Sequence, residues 1–79
     1  MSQIPIEWKE AKALLEKVES LLKEKEAFKD TAEYQEAQKI VEEVKRVEDT
    51  RTGKRYIDRD PKGAIQRLKK AKKMLESLE

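Results

Sequence analysis

The chain contains no cysteine, no histidine and no asparagine. Without cysteine there are no disulfides, no thiolate metal sites and no thiol redox chemistry. Without histidine the commonest general base and the commonest metal ligand are both missing. Glycine and proline occur only twice each, so element interiors are rarely interrupted, and aromatic residues make up just 5%. The longest apolar run is Ala13-Leu14-Leu15. A membrane-crossing helix needs about 20 apolar residues and a signal peptide a run of about 7–15, so neither is expected, and the chain is expected in the cytosol.

Charge is abundant. Asp, Glu, Lys and Arg supply 46% of the 79 residues, with 19 basic against 17 acidic. The net charge of +2 argues neither for nor against a polyanionic partner. One domain is available at this length, spanning residues 1–79. A core of this size seldom yields more than roughly 3–5 kcal/mol, and no covalent staple adds to it, so stability must come from helix packing and helix propensity.

Apolar spacing identifies three helices. Helix 1, about residues 6–25, starts near Pro5 and places Trp8, Ala11, Leu14, Leu15, Val18, Leu21 and Leu22 on an arc of about 140°. Helix 2, about 31–48, is predicted to open with Asp30 as N-cap and Glu33 completing a capping box. Its apolar face is Tyr34, Ala37, Ile40, Val41, Val44 and Val47. Helix 3, about 61–78, opens with Asp60 as N-cap and Pro61 at the first helical position. Its face is Ala64, Ile65, Leu68, Ala71, Leu75 and Leu78, with Met74 and Lys72 at the margins. The pairs Glu19–Lys23 and Glu42–Arg46 have the spacing for helical ion pairs. Three stripes of matched width predict an all-α fold, a closed monomeric three-helix bundle. Helices awaiting a partner would leave much apolar surface over, and little falls outside the three faces, chiefly Ile4, Ile6, Tyr56 and Ile57.

The link over residues 49–59 is the unusual segment. Its eleven residues exceed the usual 2–8 between helices. Thr52-Gly53 suits the turn of a short β-hairpin, with Lys54 to Ile57 as the returning strand. A lengthwise crossover also fits, because eleven residues extend to about 36 Å and a 19-residue helix is about 28 Å long. The direction of helix 3 therefore stays open at this point.

No site chemistry emerges from the motifs. Ser2, Ser20 and Ser77 have no base at a workable spacing, and the carboxylates are spread over solvated faces, so no catalytic residue and no enzyme activity are assigned. An EF-hand alignment on Gly53 puts Arg59 where the bidentate acid belongs, so no metal is expected. Gly53-Lys54 lacks the remaining phosphate-loop residues, and no cofactor is implied.

Basic residues supply the remaining candidates. Residues 60–79 carry six basic side chains against three acidic ones. Lys62, Lys69 and Lys73 share an outward stripe of helix 3, with Lys70 beside it. Arg51, Lys54, Arg55 and Arg59 in the link could extend that patch, with Tyr56 as a stacking group for nucleic acid. A solvated face, with the cations complementing the helix dipole, is the simpler account.

Tyr34-Gln35-Glu36-Ala37 and Lys62-Gly63-Ala64-Ile65 resemble short stretches of tetratricopeptide helices, although the 34-residue repeat does not recur. With its Asp-capped helices, its wealth of Glu, Lys, Ala and Leu, and its lack of His, Cys and Asn, the whole chain resembles computationally designed helical proteins. That resemblance implies a scaffold whose purposeful element is the 49–59 link, either as an ordered loop or as a displayed segment for a protein or peptide. Ile4-Pro5-Ile6 and the long link depart from an ideal design and keep a redesigned natural domain open. The alternative function is a small nucleic-acid-binding module using helix 3 and the link.

Overall fold

A computed structural model describes residues 6–78. Ile4, Pro5, Ser2 and Glu79, and with them the expected proline start of helix 1, lie outside the described residues. The described chain is mostly helical, 77%, with four helices and a small two-stranded sheet. In order these are α1 (Ile6–Glu24), a 3₁₀ turn (Glu26–Phe28), α2 (Ala32–Lys45), β1 (Val47–Asp49), β2 (Lys54–Arg55), α3 (Tyr56–Arg59) and α4 (Pro61–Glu76).

The long helices bury the stripes expected of them. Ala11, Leu15, Val18 and Leu21 of α1 meet Tyr34, Ala37, Ile40, Val41 and Val44 of α2 and Ala64, Ile65, Leu68, Ala71 and Leu75 of α4 in one core. α1 against α4 is the most extensive contact and α1 against α2 the least of the three. At one end Lys25 Nζ donates to the Leu78 carbonyl at 2.8 Å, and at the other Trp8 Nε1 donates to Asp58 Oδ1 at 2.8 Å. α1 and α4 are therefore parallel. The Arg67–Glu43 pair holds the first half of α4 beside the end of α2, and the end of α4 at Lys70 and Met74 borders the start of α2 at Ala32 and Glu33, so those two run antiparallel. The link does not cross the molecule lengthwise; it returns at the end where it left.

Several expectations are corrected in detail. Helix 2 is capped by Thr31, not Asp30: Thr31 Oγ1 accepts from the Tyr34 N–H at 3.3 Å and donates to the Phe28 carbonyl at 2.6 Å. A hydroxyl can do both, whereas an ionised carboxylate only accepts. The Phe28 carbonyl also accepts from the Thr31 N–H at 2.9 Å, so Thr31 joins the 3₁₀ turn to the helix start through both backbone and side chain. Helix 2 stops at Lys45, because Arg46 turns extended (ψ 131°) and its carbonyl accepts from the Tyr56 N–H at 2.9 Å. Val47 is consequently on a strand and 48% exposed, while Ile57, expected to be left over, is 0% exposed within the core. Neither helical ion pair expected from spacing forms: Glu19 pairs with Lys45 across the α1–α2 boundary at 3.0 Å, and Arg46 pairs with Glu48 at 3.4 Å. The last helix opens as expected, with Asp60 Oδ1 accepting from the Gly63 N–H at 3.1 Å and Pro61 following.

Candidate functional site

Residues 46–60 form a compact hairpin–helix unit instead of an open loop. β1 and β2 are antiparallel, with Val47 opposite Arg55 and Asp49 opposite Lys54, so Glu48 is the extra residue of a bulge. The connection is longer than a two-residue turn. It runs over Thr50, Arg51, Thr52 and Gly53, and Gly53 takes φ +73° while its N–H donates to the Asp49 carbonyl at 2.8 Å. Asp49 Oδ1 accepts from the Arg51 N–H at 3.0 Å, which is the main reason its carboxyl is held below the usual aspartate value of 3.8; hydrogen bonds from Thr52 and the nearby Lys54 add to it.

The returning strand is only two residues long because the chain turns helical at Tyr56. Asp58 closes that turn, accepting from the Arg55 N–H at 2.9 Å through Oδ2 and from the Trp8 indole through Oδ1. The Arg55 N–H is the chief cause of its lowered pKa, followed by the Trp8 hydrogen bond and by the charges of Arg55 and Lys12. Burial opposes this shift in Asp58 without cancelling it. α3 is thereby tied to the start of α1. Its apolar member, Ile57, drops between the long helices.

Tyr56 faces the α2 side of α4. Its hydroxyl donates to Asp60 Oδ2 at 3.3 Å and accepts from Arg67 Nε at 3.3 Å, with the guanidinium 5.3 Å from the ring centroid. Gly63 makes this approach possible, since a Cβ there would lie 2.4 Å from Asp60 Oδ2 and 2.8 Å from the Tyr56 hydroxyl.

The candidate basic residues divide into three groups. Arg55 pairs with Asp58 at 3.7 Å, and Arg59 pairs with Glu48 at 3.0 Å, so both neutralise acids within the unit. Arg51 and Lys54 are exposed at the hairpin tip, with no carboxylate of the described residues within 4 Å. Lys62, Lys69 and Lys73 are exposed on the outward side of α4. At about 100° per residue, Arg67 lies about 140° around the helix from the middle of that stripe. Tyr56, stacked under Arg67, is therefore on a different face of α4 from the three lysines. Sequence reasoning missed Trp8, Asp58 and Glu48. The usable signal was Trp8 itself, because a half-buried indole N–H needs an acceptor.

Among the described residues no helix is long and apolar enough to cross a membrane. The chain matches no protein-family model, no curated protein and no solved structure.

Proposed function

We propose that this chain is a non-catalytic scaffold, a three-helix bundle that carries residues 46–60 as an ordered, displayed segment for a protein or peptide partner. The reading rests on a contrast in burial within one short stretch: Ile57 is 0% exposed, while every residue from Thr50 to Lys54 is exposed. A base locked into the core and a tip free of it is what a display element requires. Arg51 and Lys54 at that tip suit an acidic segment of a partner. The likeness to designed helical proteins fits such a role. Replacing Thr50-Arg51-Thr52 with Ser-Glu-Ser, with Gly53 kept, tests the scaffold reading by thermal unfolding. An exposed tip uncoupled from the core should change stability by no more than about 0.5 kcal/mol, or roughly 2–4 °C in Tm for a chain of this size. A cooperative loss of structure in that variant would end the reading.

A second reading, nucleic-acid binding, has one observation in its favour. Among the described residues no carboxylate lies within 4 Å of Lys62, Lys69, Lys70 or Lys73.

A further inference from the structure

The outward arc of α4 differs from every other charged surface of the described molecule. Lys62, Gln66, Lys69, Lys70 and Lys73 are all exposed and fall within about 100° of one another, opposite the buried Leu68. The one flanking acid among the described residues of α4 is Glu76, about 20° beyond the edge of the arc, and it pairs with Lys72. Elsewhere the free cations are interleaved with acids. Lys9 and Lys17 of α1 stand among Glu10, Glu16 and Glu24, and Lys39 of α2 borders a shallow surface shared with Glu42 and Glu43. Lys70, at the edge of the arc toward α2, borders a shallow surface shared with Glu33 and Glu36, whereas Lys62, Lys69 and Lys73 form a stripe of exposed lysines with no carboxylate of the described residues within 4 Å.

We infer that this arc of α4 alone, without the hairpin–helix unit, is a contact surface for the phosphates of double-stranded nucleic acid, bound without regard to sequence. The inference rests on the second reading above and narrows it to one face and one ligand class. Two features select a duplex over a single strand. A single-strand groove needs aromatic rings on which bases stack, and the arc has none. The rings at this end of the molecule are engaged: Tyr56 lies under Arg67 on another face, and Trp8 is hydrogen-bonded to Asp58. Duplex DNA instead carries dense phosphate charge, one per about 1.7 Å of axis with both strands counted, so the roughly 16 Å from Lys62 to Lys73 matches a length of duplex carrying about ten phosphates, more than enough for four lysines. Lysine ammonium groups are point charges on flexible stems, suited to neutralising phosphates and poorly suited to reading bases in a fixed geometry.

Fluorescence anisotropy with a labelled mixed-sequence duplex tests this in the full chain. Binding is expected with Kd between about 10⁻⁴ and 10⁻⁶ M near physiological salt, tighter at low salt, with a slope of log K on log salt of about −3.6 if all four lysines engage. The K62Q/K69Q/K70Q/K73Q variant should bind roughly tenfold or more weakly with a flattened slope. K9Q/K17Q/K29Q/K39Q removes the same charge from other exposed positions and should bind like the unchanged protein. Equal losses in the two variants would overturn the inference, since binding would then follow net charge. A loss instead on R51Q/K54Q would overturn it while leaving nucleic-acid binding in place. No binding at low salt would remove both. Tighter binding to single strands, or binding to anionic lipid vesicles but not to the duplex, would also overturn it. Circular dichroism melting of each variant separates lost contacts from lost structure.

Discussion

Asp58 illustrates how one carboxylate can join segments 50 residues apart. It accepts the Trp8 indole proton and the Arg55 amide proton at once, so the start of α1 and the turn into α3 share an anchor. Both bonds favour the ionised form, which is why its pKa is lowered from 3.8. A depressed folded-state pKa contributes stability that is present above the unfolded value and is lost as pH falls through the folded one. Asp49 shifts in the same direction and adds to the same window. Stability should therefore decline as pH drops below about 4, and D58N should lose part of that dependence. At neutral pH D58N should be less stable by about 1 kcal/mol, since hydrogen bonds to a charged group are weakened and the site is partly open to water. Urea titrations of both proteins between neutral pH and acid check this. An unchanged pH profile in D58N would mean the carboxylate contributes nothing.

At the scale of elements, the informative pair is Val47 and Ile57. Both are apolar and β-branched, and helical periodicity assigns the first to the core and the second to a loop, whereas the fold reverses them. I57A should cost about 2–5 kcal/mol, as for other buried isoleucines. V47A should stay within about 0.5 kcal/mol, as at ordinary surface positions. Chemical denaturation of the two variants measures both, and equal losses would contradict the burial pattern. The reason for the reversal also explains what was legible in the sequence. α1 and α4 could be read because their stripes, and the Asp60-Pro61 start of α4, depend on neighbours within a few residues. Helix 2 was readable as far as Val44 on the same basis. Its end was not, because the Arg46 carbonyl is taken by Tyr56, ten residues on, and nothing local to Val47 announces that partner. The Thr31 cap required knowing that the 3₁₀ turn would bring the Phe28 carbonyl within reach of the Thr31 hydroxyl. Gly53 did announce a hairpin, but the helical turn that begins at Tyr56 left the returning strand only two residues. Among the candidate site residues, charge and exposure could be read directly. Which cations are spent could not, because Arg55 meets Asp58 only once α3 forms, and Arg59 reaches Glu48 only across the folded hairpin.

For the molecule as a whole, direction matters most. The link leaves α2 and re-enters α4 at the same end, so α1 and α4 run parallel, with their starts gathered beside α3. The hairpin–helix unit thus closes one end of the long helices and contributes Ile57 to their shared core. Amide exchange across residues 50–60 tests that arrangement most directly. The N–H groups of Gly53, Arg55, Tyr56 and Asp60 each have a defined acceptor, in Asp49, Asp58, Arg46 and Tyr56 respectively. Protection at Tyr56 and Asp60 approaching that of the long helices, with Gly53 and Arg55 slowed relative to free peptide, is the expected result. Exchange at free-peptide rates throughout the segment would contradict an ordered unit built into the core.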